Sequence, residues 1–125
     1  MTDRSLIMKR QVLEACIKTR DMLTPETNWT QKVFARNNLG FPVSIISTAA
    51  TCYCWAGCLS KICDDPTGMR TELYKLAHAE FMTEVKQEMK HANYIVDFND
   101  RHTHQEVLGM INKTINRLER DIETK

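Results

Sequence analysis

The run NWTQKVFARNNLGFPV, residues 28–43, decides how this chain folds, because it interrupts an otherwise helical pattern. It holds a Trp, a Gln, one Arg between apolar residues and an Asn-Asn-Leu-Gly turn, without the three- and four-residue apolar spacing of an amphipathic helix. Lys32-Val33-Phe34-Ala35 and Phe41-Pro42-Val43 are extended candidates. Between them, Asn37-Asn38-Leu39-Gly40 supplies residues that accept positive φ. The pattern predicts a short β-hairpin, with Pro42 restricting its second strand to an edge.

Helices are expected on both sides. Upstream, residues 5–23 place Met8, Val12, Leu13, Cys16 and Ile17 at helical steps. Thr24-Pro25 ends that helix, since the residue before a proline is pushed out of the helical region. Downstream, Ser47 or Thr48 is placed to cap a second helix reaching about Cys63. Its apolar row is Thr51, Cys54, Trp55, Cys58, Leu59 and Ile62, and Ala49, Ala50, Ala56 and Gly57 form an unusually small face. Asp65 as N-cap and Pro66 as first helical residue open a third helix, with Leu73, Leu76, Ala77, Phe81 and Val85 inward and an end between 82 and 90.

A second non-helical segment, NYIVDFND (residues 93–100), favours an extended Tyr94-Ile95-Val96. Thr103-His104-Gln105-Glu106 then reads as a capping box. It opens a last helix with the stripe Val107, Leu108, Ile111, Ile115, Leu118 and Ile122. The expected class is mainly α, within α+β: about four helices and a short β-hairpin between helices 1 and 2.

At 125 residues the chain fits one domain, 1–125, large enough to fold without disulfide or metal. Hydrophobic content of 42% and charged content of 26% fit a globular chain, and a net charge of +1 gives no global pull toward nucleic acid or anionic membrane. Lys113, Arg117 and Arg120, with Lys9, Arg10, Lys18 and Arg20, read as solvated helix faces without the interleaved aromatics of a nucleic-acid footprint. No apolar run approaches the roughly 20 residues that span a bilayer, and MTDRSLIMKRQ lacks a signal-peptide core, so the expected compartment is the cytoplasm. The five cysteines are odd in number and clustered, unlike a disulfide framework, and the sequons at Asn28 and Asn112 are read as chance.

The motifs NWTQKVFARNNLGFPV, CYCWAGCLSKI and YIVDFNDRHTHQEVLGMINKTI, in that order, resemble an uncharacterised family of small bacterial and phage proteins, domain-of-unknown-function family 6197. The matching residues are Trp29, Gln31, Ala35, Arg36, Cys54, Gly57, Leu59, Asn99, Asp100, Thr103, Glu106 and Val107. Phe98 stands where a Trp is usual, Asn37 where an Asp is common and Cys58 where an Ala is common. The resemblance implies a bacterial or phage source, hence the host cytoplasm for a phage protein, and it groups these polar residues. It implies no activity.

Cys52-x-Cys54-x-x-x-Cys58 lacks the paired C-x-x-C spacing of zinc sites, so neither metal nor cofactor is expected. His102 and His104, at a helix start, suit surface histidines. A small enzyme, a Cys- or Asp-dependent hydrolase, needs Cys54 as nucleophile with His102 or His104 and Asp100, or Asp100 as base; Cys54 falls on the apolar stripe, where a thiol is inert. Cys52 lies off the stripe and is the more exposed candidate. Asn99 and Asp100 suit turn and helix-start amides. Arg36 suits either a clamp to Asp100 or Glu106 or an anionic ligand group.

If the two non-helical segments converge, Trp29, Gln31, Arg36, Asn99 and Asp100 form a polar, aromatic ligand site. The function expected is non-catalytic binding of a partner protein or of a small polar or nucleotide-like ligand. The competing readings are the hydrolase and a structural homo-oligomer packed through the small face of helix 2.

Overall fold

The computed structural model of the chain describes residues 3–124. Five α-helices, α1 (Asp3–Leu23), α2 (Trp55–Cys63), α3 (Glu72–Glu88), α4 (Ile95–Asn99) and α5 (His104–Glu123), pack with a two-stranded antiparallel sheet, β1 (Ala35–Arg36) and β2 (Cys52–Tyr53), inserted between α1 and α2. The architecture is mainly helical with a small β element, as the periodicity predicts, with one short helix more than expected.

Burial accounts for the arrangement. Val12, Ala15, Cys16 and Leu23 on α1 meet Val107, Ile111, Ile115 and Leu118 on α5, and α2 is buried along almost its whole length. Trp55 sits at the centre, edge-on to Phe81 at 4.9 Å and to Phe98 at 6.2 Å between ring centroids. Each fully buried aliphatic or aromatic side chain of this kind contributes about 1.5–3 kcal/mol. Arg117, expected on a solvated face, instead ties α5 to α3: its Nε donates to Glu84 at 2.7 Å and its Nη1 to Glu80 at 2.8 Å.

Four local expectations are corrected. First, β1 pairs in register with β2, Ala35 opposite Tyr53 and Arg36 opposite Cys52, while the returning segment at 41–43 makes a single bridge, Arg36 to Pro42. The turn between them is as expected: the Asn37 side chain accepts from the Leu39 and Phe41 amides, and Gly40 has φ of +87°. Pro42 has no N–H to extend a ladder, so the next available chain, residues 52–53, takes the other side of β1.

Second, α2 starts at Trp55 rather than near residue 48. Ser44 and Ser47 hydroxyls bond the amides of Ile46 and Ala49, holding turns that compete with helix, and the thiol of Cys54 accepts from the Gly57 amide as the N-cap. Third, α3 starts after Thr71, whose hydroxyl accepts from the Tyr74 amide. Asp65 instead closes a turn, accepting from the Thr67 amide, the Thr67 hydroxyl and the Met69 amide, with Gly68 at φ of +88°.

Fourth, Ile95-Val96 is helical, not extended. The Asp97 carboxylate reaches back to the Asn93 and Tyr94 amides, the Ile95 amide donates to His78 Nε2 at 3.2 Å, and Ile95, Phe98 and Asn99 are buried on one side. Capping and burial outweigh the β-propensity of the triplet. The Thr103–Glu106 capping box forms as expected, with both reciprocal bonds present.

Candidate functional site

The two segments that interrupt the helices converge. Asn99 is fully buried at their meeting point, and its amide organises both sides. Its Oδ1 accepts from Trp29 Nε1 at 2.7 Å and from the Trp55 amide at 3.1 Å, and its Nδ2 donates to the Thr30 carbonyl and to Asp100 Oδ1, each at 3.1 Å. Gln31 Nε2 donates to the carbonyls of Asn99 and His102, at 2.9 and 2.8 Å. Asp100 Oδ1 also accepts from the Lys32 amide at 2.9 Å, while Lys32 Nζ donates to the Asp100 carbonyl at 3.1 Å. Trp29, Gln31, Asn99 and Asp100 are thus brought together, and each is bonded to the protein itself.

Arg36 stands at the edge of this junction, and neither carboxylate expected of it is its partner. Its guanidinium donates to three neutral oxygens: Thr30 Oγ1 at 2.8 Å, the Gly40 carbonyl at 3.0 Å and the Gln31 carbonyl at 3.1 Å. Asp100 is engaged with Lys32 and Asn99, and Glu106 is exposed in its capping box, its carboxyl held below the usual range by the Thr103 amide and hydroxyl. Arg36 therefore ties the turn at residue 40 to the segment at 30–31.

His104 is not a surface histidine, and His102 is half-buried. His104 is buried, its Nε2–H donates to the Leu23 carbonyl at 2.6 Å, and this closes the C-terminus of α1 beside the Trp29 ring at 5.5 Å. His102 stacks on Phe98 with centroids 3.6 Å apart and donates from Nδ1 to the Phe98 carbonyl. Cys16, Cys54, Cys58 and Cys63 are buried. Burial pushes the thiols of Cys16, Cys54 and Cys63 up to about 12, 11 and 11, and that of Cys58 higher still, so at neutral pH they are protonated and poor nucleophiles. Ala56 and Gly57 are buried inside the chain, Gly57 beneath the Phe34 backbone carbonyl, whereas Ala49 is exposed and Ala50 half-buried before β2, so the four small residues do not form one face of α2.

A larger concavity lies beside the junction. A groove of about 830 Å³ runs between residues 32–34 and 43–46 on one side and the end of α2 with the 64–70 turn on the other. Val33, Val43, Ile45 and Val96 give it an apolar lining, and Lys32, Lys61 and Arg70 bring positive charge. Among the described residues Lys61 has no hydrogen-bond or ion-pair partner. The depression over the junction, lined by Glu26, Trp29, Thr30, Gln31, Lys32 and Arg36, is about half that size, near 420 Å³. Only Lys32 belongs to both, and it is the one non-glycine residue among those described with positive φ, at 75°. None of the groove's other residues stands out as a site in the sequence: they fall in separate stretches of the chain, and those that lie within the quoted motifs are apolar or lone basic residues without a recognisable ligand pattern.

Residues 8–117 match a family of unknown function, DUF6197. The chain belongs to DUF6197. The match covers both converging segments and every helix at least in part. No curated protein and no solved structure shows significant similarity to this DUF6197 chain. Among the described residues, no helix is long and apolar enough to cross a membrane.

Proposed function

We propose that this DUF6197 chain is a non-catalytic binding protein, acting in the cytoplasm of a bacterium or phage-infected host, and that its seat is the groove rather than the Trp29–Arg36 set. One observation carries the reading: the groove combines a volume within the range of small-ligand sites with cationic donors the protein leaves unused, whereas the junction's polar groups are already bonded. A small ligand is the form that this volume favours. The hydrolase reading lacks support from its nucleophile, since Cys54 is buried, protonated and occupied as the α2 N-cap. Binding of a partner protein is a second reading, favoured by Phe34, Leu39, Phe41 and Ile46, four exposed large apolar side chains within thirteen residues.

A thermal-shift screen against nucleotides and common metabolites tests the reading, with Lys61→Glu and Arg36→Ala compared with wild type. A ligand at a hundred times its Kd stabilises by about 2.7 kcal/mol. The expected result is a shift that Lys61→Glu abolishes and Arg36→Ala retains on its own lower baseline. A shift lost in Arg36→Ala and kept in Lys61→Glu returns the seat to the junction.

A further inference from the structure

We infer that the groove takes a small anion with an apolar body, of the class of medium-chain carboxylates. The inference rests on the groove being the seat proposed above, and it follows from comparing the groove's cations with its carboxylates. Three cations and two carboxylates line it. Asp64 is engaged through both carboxylate oxygens, and Asp65 through one. Asp64, almost fully buried, accepts from Ser60 Oγ at 2.6 Å, Arg70 Nε at 3.1 Å and the Thr71 amide at 3.1 Å. Asp65 Oδ1 takes three donors from its own turn.

The cations are not saturated. Lys61 has no partner among the described residues, and Lys32 Nζ makes one bond, to a neutral carbonyl. Arg70 uses Nε on Asp64 and lays its guanidinium 3.6 Å over the Tyr74 ring, which fixes the group and leaves both terminal nitrogens free. An occupant that supplies acceptors and negative charge meets these three cations, which outnumber the carboxylates. The walls ask for the rest: Val33, Val43, Ile45 and Val96 offer no hydrogen bonds, so a uniformly polar anion would leave them wet, while an alkyl or aryl body covers them.

Lys32 also has a backbone conformation that costs a non-glycine side chain, and glycine would avoid that cost. Lys32 lines both the groove and the junction, so the strained backbone sits where the two meet.

The test is a titration of isotope-labelled full-length protein followed by amide NMR shifts, with three probes of equal chain length: octanoate, octan-1-ol and octylammonium. Octanoate is expected to shift the amides of Val33, Phe34, Ile45, Lys61 and Val96, and to bind about tenfold more tightly than octanol, the worth of one charge-assisted hydrogen bond. Lys61→Gln, a change at an exposed position, is expected to remove most of that tenfold and to leave octanol unchanged. Octanol binding as tightly as octanoate, or octylammonium binding more tightly, overturns the ligand class and leaves the groove as a seat. No shift at these amides with any of the three overturns both.

Discussion

The junction around Asn99 and the groove beside it sit against the same segment, residues 30–46, yet they treat polar groups in opposite ways. At the junction every side-chain donor of Trp29, Gln31, Asn99 and Arg36 named above ends on an oxygen of the protein. In the groove Lys61 and the outer nitrogens of Arg70 end on none. A polar cluster rich in Trp, Gln, Asn and Arg resembles a ligand site in composition, but saturation makes it a lock: it fastens a segment with hardly any regular structure to α4 and the start of α5. Binding capacity is better judged by which donors lack acceptors than by which residues have recognised chemistry.

The largest effect expected of this contrast is at Asn99. Asn99→Ala strips acceptors from Trp29 Nε1 and the Trp55 amide and a donor from the Thr30 carbonyl. Each buried group left unsatisfied costs about 1–3 kcal/mol, so the loss should reach about 3–5 kcal/mol in chemical denaturation. A loss under about 1 kcal/mol would mean that water replaces the amide, and the junction would then be open enough to reconsider as a site.

Gly57→Ala comes next. A Cβ there would fall on the Phe34 carbonyl, a backbone atom that cannot rotate away, so the segment must lift from α2. Overpacking of this kind costs about 1–3 kcal/mol. Because Phe34 also lines the groove, the same variant should weaken octanoate binding, and an unchanged affinity would detach the groove's shape from that contact.

Arg36 and Lys61 then separate stability from binding. Arg36→Ala removes three hydrogen bonds to neutral oxygens and is expected to cost about 1–2 kcal/mol without changing octanoate affinity. Lys61→Gln should do the reverse, within about 0.5 kcal/mol of wild type in stability, as exposed substitutions usually are, but weaker in binding. Parallel behaviour of the two variants would erase the distinction between the regions.

The capping box at Thr103, the stripe on α5 and the Asn37–Gly40 turn are local, and each forms as its residues imply. The two segments also meet, although the second is helical where an extended run was expected. What was illegible depends on the path of the backbone and on distant partners. Arg36 takes neutral oxygens of its own neighbourhood, at Thr30, Gln31 and Gly40, where an unpaired Arg suggests a carboxylate or an anion, and nothing near His104 places the Leu23 carbonyl against its ring nitrogen. Ile95-Val96 carries strand propensity that His78 and Asp97 override from outside the triplet.

His78 also gives the lock a pH dependence. Burial, and then the positive charge of Arg70, lower its pKa, and its Nε2 must stay unprotonated to accept from the Ile95 amide at the start of α4. Tyr74 stacks on the ring at 5.8 Å and Tyr94 tilts over it at 6.1 Å, so no carboxylate takes up the charge from those sides. With the folded-state pKa below the unfolded value, the unfolded chain binds more protons between the two. Stability is then complete above about pH 6.5, the ordinary imidazole value, and is lost as pH falls through the folded-state value. His78→Gln keeps an acceptor that does not titrate and should flatten this slope in unfolding midpoints measured across that range. A slope equal to wild type would assign it to other groups.

The smallest effect is the most informative about how the two regions are joined. Lys32 lines both, with its amide on Asp100 and its φ at 75°. Lys32→Ala and Lys32→Gly each remove the Nζ bond and the charge, but only glycine relieves the left-handed backbone. The glycine variant should therefore be the more stable of the pair by up to about 1 kcal/mol, partly offset by the freedom glycine gains when unfolded. Both should lose octanoate affinity to the same extent, because affinity reads the ammonium and not the strain. Should the glycine variant bind more weakly than the alanine one, the strained backbone itself would be shaping the groove, and lock and groove would have to be treated as one device.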